Sequence, residues 1–262
     1  MSVLAVTGTS GSLGQFIKGK ILEINRSDLT NVTILEDVLR TNKVETMLHL
    51  ASPTQTLDTP AIANDYKTDI HKLTMSLFEK FAIAGGKKFG YVSTAHVYGR
   101  QDSPRPITES DKCHPITDYA KWKLETEEDL LIQGRKYGIK IVVFRPFSVF
   151  GSGMRSHFLA GRLEQESKRG KFTPIKFSLD WRDFSTPQQM AEKIGLIMHS
   201  PWQALHSVLN ICSGESETVK ERVLKEYPNF PQELFRLKYS FMPFLLGNPN
   251  AFRDFLGKSD NV

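Results

Sequence analysis

Short apolar runs alternate along the chain with longer stretches in which apolar residues recur at helical spacing. The apolar runs are continuous and bounded by turn residues, so we expect parallel strands that are buried on both faces. These runs span residues 3–7, 46–52, 89–99 (which continues into a loop) and 139–144. Residues 65–84, between two of them, carry apolar side chains at helical spacing. The alternation predicts an α/β fold with a parallel sheet.

The remaining segments predict smaller elements. We expect helices over residues 32–39, 118–136 and 190–199, and a short strand over 208–211. His49 lies inside the second apolar run, where a histidine packed in the core is the expected interpretation.

Three glycines, Gly8, Gly11 and Gly14, follow the first apolar run at the spacing G-x-x-G-x-x-G. Such a turn between a strand and a helix lets the backbone approach a pyrophosphate, while the N–H groups of the helix face the anion. Because this turn stands directly after a predicted strand, it is stronger evidence than a lone glycine-rich loop. The sequence predicts a dinucleotide site contacted by Gly8, Ser10, Gly11, Leu13 and Gly14.

The first strand–helix unit is unusually short. Only six residues separate Gly14 from the next apolar run at 21–24, whereas a βαβ unit usually takes about 30 residues. We expect either a first helix of about two turns or the loss of a strand–helix pair. No aspartate closes this run in the place that usually meets the ribose, and the nearest candidates are Glu23 and Arg26. Arg26 is the candidate contact for a 2′-phosphate, although an arginine in a loop is exposed by default. Asp28 and Leu29 are further predicted cofactor contacts.

Tyr119 and Lys123 form a candidate catalytic pair. They lie four residues apart in a segment with helical character, so their side chains point to the same face. A free phenol ionises near pH ~10, and a neighbouring fixed cation favours the phenolate. This pairing lets a tyrosine exchange a proton near neutrality, as general acid–base catalysis requires. The same spacing is also common on solvated helices, so the pair alone does not decide the function.

Composition narrows the class of protein. The 262 residues are 40% hydrophobic and 24% charged, which suits one or two globular domains. No apolar run approaches the ~20 residues of a membrane span, and the chain does not begin like a signal peptide, so we expect a cytoplasmic protein. Cys113 and Cys212 lie far apart and predict neither a disulfide framework nor a metal site.

The net charge of +5 is modestly basic. Lysine and arginine are scattered along the chain, and no nucleic-acid-binding module is recognisable. A small ligand that bears phosphate therefore explains the charge better than a nucleic acid does.

The order of these features resembles that of the extended short-chain dehydrogenase/reductases, and more narrowly their nucleotide-sugar epimerase, dehydratase and reductase branch. The resemblance covers about residues 3–215 and is specific, because several motifs occur together in the right order. Those motifs are the glycine turn, His49-Leu50-Ala51, Ser93-Thr94 with Val97-Tyr98-Gly99, Tyr119 with Lys123, and Arg145-Pro146 with Phe150-Gly151.

The resemblance implies an α/β fold, a Rossmann-like doubly wound parallel sheet with a small C-terminal substrate-binding part. A dinucleotide-binding Rossmann domain is expected over residues 1–151, with its first βαβ unit shortened. A smaller substrate-binding part is expected over 152–262, interleaved with the last Rossmann elements.

The resemblance also assigns roles to individual residues. Thr94 takes the place of the active-site hydroxyl, Tyr119 that of the general acid–base, and Lys123 that of the residue that binds the nicotinamide ribose. Charge develops on the carbonyl oxygen as hydride moves, so a hydrogen bond from Thr94 and a proton from Tyr119 suit the chemistry. The cofactor is then NADP or NAD, and its further contacts are Leu50, Ala51, Ser52 and Pro146.

Two departures from the family narrow the reaction. Ala95 and His96 stand where the 4,6-dehydratases carry an Asp-Glu pair, so dehydration is not expected. In reductases that also epimerise, a cysteine occupies the place of His96 and a histidine stands near His157, so a pair of acid–base histidines is an alternative to ordinary pocket residues. Arg182 matches an arginine that meets the sugar-nucleotide diphosphate. The predicted substrate contacts are Ala95, His96, His157 and Arg182.

We therefore expect an NAD(P)H-dependent reductase of a nucleotide-activated keto-sugar, with Tyr119 as the general acid. A nucleotide-sugar 4-epimerase that retains its NAD is the alternative within the same family. A non-catalytic dinucleotide-binding protein, either a regulator or an RNA-binding relative, is the alternative from another class. The helices near 65–84 and 118–136 also suit a homodimer, as in relatives.

Overall fold

The computed structural model describes residues 3–30, 32–52, 68–202 and 204–259. Its strands are β1 (Leu4–Thr7), β2 (Ile21–Ile24), β3 (Thr46–His49), β4 (Lys88–Val92), β5 (Lys140–Pro146), β6 (Ser148–Val149), β7 (Trp181–Arg182), β8 (Phe184–Ser185), β9 (His206–Ile211), β10 (Glu217–Thr218) and β11 (Phe244–Leu245). A six-stranded parallel sheet has the order β2-β1-β3-β4-β5-β9. Two small sheets, β10-β7-β11 and β6-β8, belong to the C-terminal part.

The helices begin and end where the local sequence favours it. They are α1 (Arg26–Thr30), α2 (Val32–Thr41), α3 (Leu73–Ile83), α4 (Asp118–Tyr137), α5 (Leu159–Lys168), α6 (Pro187–His199), α7 (Val219–Glu226) and α8 (Asn250–Ser259). The hydroxyl of Thr117 caps α4 by accepting a hydrogen bond from Ala120 N at 3.3 Å, and Gly138 ends the helix in the left-handed conformation. The helices predicted at 32–39, 118–136 and 190–199 are confirmed. The helix predicted at 65–84 is helical from residue 68, and its residues 65–67 lie outside the described residues.

The main sheet is buried because each of its faces carries its own hydrophobic core. Successive strand residues point to opposite faces, so Ala5 belongs to one core and Val6 to the other. Leu35 of α2 and Phe78 of α3 cover the first core, whereas Met190 of α6 covers the second. Helices on both faces of a parallel sheet define the doubly wound α/β fold that was expected.

The first strand–helix unit departs from the usual form. The expectation of a two-turn helix is wrong, because Gly14–Phe16 form a 3-10 helix of three residues and the chain then runs into β2. In the usual order 3-2-1-4-5-6, two strands lie on the outer side of β1, whereas the described residues place only β2 there. The sheet therefore agrees with the other expectation, the loss of a strand–helix pair.

Residues after 149 build a third hydrophobic core. It contains Phe150, Leu163, Phe184, Val223 and Phe230. The same half of the chain also returns to the main sheet through α6, β9 and α8. The division of the chain at residue 151 stays a prediction, and the separate core is an argument in its favour. Within the described ranges, no helix combines the length and the apolar character needed to span a bilayer.

Gly99 offers a test of how the loop after β4 is held. Its φ is +68°, and a Cβ there would lie 1.9 Å from the backbone oxygen of His114, in the segment ahead of α4. Gly138 has a φ of +66°, but a Cβ there would meet nothing within 4 Å. We expect Gly99→Ala to lower the free energy of unfolding by about 1–3 kcal/mol more than Gly138→Ala, which itself costs about 1–2 kcal/mol. Urea unfolding of the two variants measures the difference, and equal losses would show that the loop does not press on His114.

Candidate active site

The candidate site lies at the carboxyl edge of the main sheet. β1 has β2 on one side and β3 on the other, so the direction of winding reverses at β1 and leaves a crevice beyond the strand ends. The ends of β1, β3, β4 and β5 emerge at this edge because the four strands are parallel. The predicted contacts that these strand ends carry are Gly8, Ser10, Gly11, Leu13, Gly14, Leu50, Ala51, Ser52, Thr94 and Pro146.

The glycine turn is packed tightly against the segment that follows β3. Gly8 has a φ of +74°, and a Cβ there would lie 2.7 Å from Ala51 N. At Gly14 a Cβ would lie 2.1 Å from the carbonyl oxygen of Gly8, and Gly11 N donates to the same oxygen at 2.9 Å. A side chain at Gly8 or Gly14 would open the turn, which explains why these positions need glycine. The compact backbone at the reversal point fits the close approach of a cofactor phosphate.

His49 fastens the segment after β3 to the end of β1. Thr74 Oγ1 donates to a backbone carbonyl one turn earlier, so it accepts from His49 Nε2 at 3.0 Å, and His49 Nδ1 accepts from Thr7 Oγ1 at 2.7 Å. The oxygen of Thr7 in turn accepts from Leu50 N at 3.2 Å and Ala51 N at 3.1 Å. Burial lowers the pKa of His49 to about 3, so the ring is neutral. The expectation of a packed core histidine is confirmed.

Thr94, Tyr119 and Lys123 come together at the end of β4. Lys123 Nζ donates to the carbonyl oxygen of Val92, the last residue of β4, at 2.8 Å, and it lies 5.9 Å from the centre of the Tyr119 ring. Thr94 follows Val92 by two residues, and its hydroxyl oxygen accepts from His96 N at 3.2 Å. That bond uses a lone pair of the hydroxyl and leaves its O–H as a donor. The three residues predicted to be catalytic therefore meet at one strand end.

Burial shifts the pKa values of this pair in a direction that the sequence does not predict. Burial lowers the pKa of Lys123, which is 2% exposed, to about 7, and the opposing charge of Glu127 recovers only part of this shift. Burial also raises the pKa of Tyr119. The expected stabilisation of a phenolate by a fixed cation is outweighed, because removal from water penalises both charged forms. The resting pair is a protonated phenol beside a lysine that titrates near neutrality.

A buried ion pair lies beneath this site. The Arg145 guanidinium donates to Glu127 Oε2 from Nη2 at 2.6 Å and from Nε at 3.1 Å, and the two side chains are 7% and 2% exposed. Ser93 Oγ also donates to Glu127, and Arg145 Nη1 donates to Tyr98 OH at 2.9 Å. Both charges are therefore paired and hydrogen-bonded, as burial requires.

The hydrogen bonds of this pair continue to β9, the strand at the edge of the main sheet. Tyr98 OH donates to Asn210 Oδ1 at 2.7 Å, and Asn210 N donates to Glu109 Oε1 at 2.7 Å. The chain thereby connects α4, β5, β9 and the loop after β4 under the candidate site.

Sequence reasoning missed this buried support. It used Tyr98 and Arg145 as marks of a family and gave neither a role of its own. Glu127 lies four residues after Lys123 on the same helical face, and this spacing is the signal that could have found it.

The guanidinium of Arg182 is held by hydrogen bonds to neighbouring residues. Its Nη2 donates to Asp180 Oδ2 at 2.8 Å, and its Nη1 donates to the carbonyl oxygens of Trp181 and Pro243 at 2.9 and 3.2 Å. The charge of this guanidinium acts on the ring of His96, although the residue as a whole is exposed. Desolvation of the ring and the charge of Arg182 lower the pKa of His96 to about 4. The structure thus brings together two of the predicted substrate contacts.

The other two predicted substrate contacts differ in their surroundings. Ala95 is fully buried and packs in the core on the α6 face. His157 lies on the loop between β6 and α5, where its ring centre is 4.2 Å from that of Phe158. This loop reaches the glycine turn, since Gln15 Nε2 donates to the carbonyl oxygen of Gly153 at 3.2 Å. A pair of acid–base histidines stays a prediction.

Arg26, Asp28 and Leu29 lie in α1, directly after the outer strand β2. Asp28 Oδ2 accepts from Asn25 N at 2.8 Å, so this carboxylate caps the backbone of its own turn. Leu29 packs against the core on the α2 face. Arg26 stays the predicted contact for a 2′-phosphate, because it follows the end of β2. In the part of the chain that the structure describes, no cluster of His, Cys, Asp and Glu could hold a metal ion.

Comparison with known proteins places this geometry in a family. The profile of the NAD dependent epimerase/dehydratase family matches residues 4–212. The chain belongs to this family, which confirms the resemblance to the extended short-chain dehydrogenase/reductases and makes it an enzyme of the NAD(P)-dependent oxidoreductase or epimerase type.

Similar proteins include a reductase and an epimerase. The GDP-6-deoxy-D-mannose reductase of Pseudomonas aeruginosa is 27% identical over 243 residues, which cover 84% of this chain and 77% of that protein. The UDP-glucose 4-epimerase of Azospirillum brasilense is 30% identical over 125 residues, which cover 48% of this chain and 36% of that protein. The solved structure of RMD from Pseudomonas aeruginosa complexed with NADPH has a TM-score of 0.84 at 24% identity, covers 98% of this chain and 93% of its own, and supports the fold.

Removing one charge of the Glu127–Arg145 pair tests how much the pair contributes to stability. Glu127→Leu leaves Arg145 buried without a counter-charge, so we expect a loss of about 3–5 kcal/mol in the free energy of unfolding. Lys121→Ala removes an exposed pair with Asp118 from the same helix and is expected to cost little, because solvent screens such pairs. Urea unfolding measures both variants.

The double variant Glu127→Leu/Arg145→Met controls for the altered volume. It removes both charges and is expected to be more stable than Glu127→Leu alone. If the double variant were the less stable of the two, the penalty could not come from an uncompensated arginine.

Proposed function

We propose that this protein is an NAD(P)H-dependent reductase of a nucleotide-activated keto-sugar. The observation that carries the proposal is the protonated phenol of Tyr119 beside Lys123, at the strand end where Thr94 offers a hydroxyl. A reduction needs a proton donor, and the phenol of Tyr119, whose pKa burial raises further, is protonated at neutral pH. Membership of the family and the likeness to a nucleotide-sugar reductase support the substrate class.

The proposed chemistry assigns one task to each group. The bound nicotinamide supplies the hydride that forms the new C–H bond at the carbonyl carbon. The electron pair of the C=O π bond then moves to oxygen, to which Thr94 and Tyr119 both donate hydrogen bonds. Tyr119 transfers its proton, so the product is an alcohol and the tyrosine is left as a phenolate. A proton from solvent restores the phenol.

Lys123 combines a structural and an electrostatic task in this scheme. Its bond to Val92 O holds α4 against the end of β4. Because its pKa lies near 7, it takes up a proton when negative charge appears on Tyr119. Binding the nicotinamide ribose is its further proposed role.

The proposed substrate site lies beyond the loop after β4. Arg182 is positioned by Asp180 and by backbone carbonyls, and such a preset guanidinium suits the diphosphate of a sugar nucleotide. His96 lies within the electrostatic influence of Arg182, and we place the sugar near it. Ala95 and His157 are proposed as further contacts. The absence of a carboxylate pair after Thr94 argues against dehydration.

A nucleotide-sugar 4-epimerase is the second candidate function. It would use the same three residues, and the likeness to a UDP-glucose 4-epimerase favours it. A reductase consumes NAD(P)H in proportion to product, whereas an epimerase forms product with no net change in the absorbance of NAD(P)H. Assays on UDP-, dTDP-, GDP- and CDP-linked keto-sugars distinguish the two.

We also propose a homodimer through α3 and α4. Ile83 at the end of α3 is 48% exposed and Ile132 on α4 is 55% exposed, and helix pairing between two copies would bury both. Ile132→Glu is expected to give a monomer in light scattering. Leu196→Glu, which changes an equally exposed residue on α6, is expected to leave the dimer intact. A monomeric wild-type protein would refute this arrangement.

A cytoplasmic location without a nucleic-acid partner stays a prediction.

Tyr119→Phe tests the proposed chemistry directly. We expect kcat to fall by about 10²–10⁴-fold, because the proton donor is lost while the ring is kept. Tyr137→Phe, at the other end of α4 and 39% exposed, is the matched control and is expected to leave kcat unchanged. Oxidation of NAD(P)H measures turnover, and calorimetry is expected to show unchanged cofactor binding. Unaltered turnover in Tyr119→Phe would favour the non-catalytic regulatory or RNA-binding alternative over the mechanism.

A further inference from the structure

The two halves of the main sheet are unequal. In a doubly wound sheet each half binds one mononucleotide of a dinucleotide cofactor. Here β3, β4, β5 and β9 lie on one side of β1, while β2 alone lies on the other among the described residues. The larger side carries Thr94 and Lys123, where the proposed function places the nicotinamide. The smaller side is the one that would hold the adenosine.

The connection from β1 to β2 offers little to a diphosphate beyond the glycine turn. Its only helical residues in the described chain are Gly14–Phe16. Phe16 N already donates to Leu13 O at 3.0 Å, and Ile17 N donates to Gly14 O at 3.1 Å. A turn this short sums too few peptide dipoles to attract an anion as a full helix does. The helix N-terminus that the glycine spacing predicts is thus not formed here.

The end of β2 is closed by its own hydrogen bonds. In the usual fold an acidic residue near this strand end binds the ribose hydroxyls. Asp28 Oδ2 accepts from Asn25 N at 2.8 Å, and Asp28 N and Leu29 N donate to Asn25 O at 3.1 and 3.2 Å. One oxygen of the carboxylate in this turn is therefore taken up by the turn itself.

The shortened connection is built into the core. Ile17 is buried in the core that α6 covers. Lys18 Nζ lies 3.4 Å from Glu192 Oε1 on α6, and a Cβ at Gly19 would lie 3.3 Å from the ring of His199 at the end of the same helix. Residues 17–19 thus pack along α6, so the shortened connection from β1 to β2 is a well-packed part of the fold.

We propose that this protein recognises its cofactor chiefly through the nicotinamide mononucleotide half, so that reduced nicotinamide mononucleotide binds about as tightly as NADH or NADPH. The inference rests on the proposed function, which places the nicotinamide beside Thr94 and Lys123. It follows because a dinucleotide outbinds its mononucleotide only by contacts to the adenosine side, and these contacts are reduced. Weak adenosine contacts also suit a reductase, whose oxidised cofactor leaves after each turnover, better than an epimerase that retains NAD.

Calorimetric titration of the full chain with reduced nicotinamide mononucleotide, NADH and NADPH tests the inference. We expect the three dissociation constants to agree within about tenfold. A dinucleotide that binds more than about tenfold tighter than the mononucleotide would overturn the inference and leave the proposed function standing. Failure of all three to bind would overturn both.

Arg26→Ala tests whether a contact to the adenosine side of the cofactor still contributes to binding. Arg26 is the predicted partner of a 2′-phosphate, so its removal would selectively weaken NADPH if that contact existed. We expect Arg26→Ala to weaken NADPH by less than about tenfold and to leave NADH and reduced nicotinamide mononucleotide unchanged. The matched control Arg40→Ala removes an exposed arginine from α2 and is expected to change none of the three dissociation constants. A loss of NADPH affinity of more than about tenfold in Arg26→Ala alone would contradict the inference.

Discussion

The buried ion pair between Glu127 and Arg145 is the constraint on which the candidate site depends. Two charges removed from water are stable only when they are paired, so this ion pair fixes helix α4 against β5. Lys123 lies one helical turn before Glu127, and Tyr119 lies one turn before Lys123. The pair that holds the helix therefore also sets the place of the phenol and the amine. Ser93 ties the same carboxylate to the segment that carries Thr94.

Burial decides the charge of the groups at this site. Lys123 is as inaccessible as a core residue, and its proton is correspondingly easy to lose. Tyr119 holds its proton for the same reason. A protonated phenol next to an amine that can accept a proton is suited to reducing a carbonyl. The opposite arrangement, a resting phenolate beside a fixed ammonium, would suit the abstraction of a proton from an alcohol.

The molecule combines a larger half of the sheet, which carries the three predicted catalytic residues, with a smaller half. β4, β5, β9 and α4 are joined by one chain of buried hydrogen bonds, from Ser93 to Glu109. On the other side of β1, a single edge strand and a 3-10 helix take the place of a longer unit. The neutral His49 fastens the end of β1 to the segment after β3, at the point where the winding reverses, without introducing a charge. Family membership predicts the half of the sheet with β4, β5 and β9, and it does not predict the form of the half with β2.

The sequence by itself determined the strands of the main sheet, its long helices and the family, because apolar periodicity and motif order are local properties of the chain. It also determined that the first unit is short, since too few residues follow Gly14 for a full helix. Only the tertiary structure decided that β2 is the sole described strand outside β1, that Arg145 pairs with Glu127, and that the pKa of Lys123 falls. The pairing of Arg145 and the pKa of Lys123 depend on which residues lie between each group and water. Residues from β4, α4 and β5 contribute to that burial from distant parts of the chain.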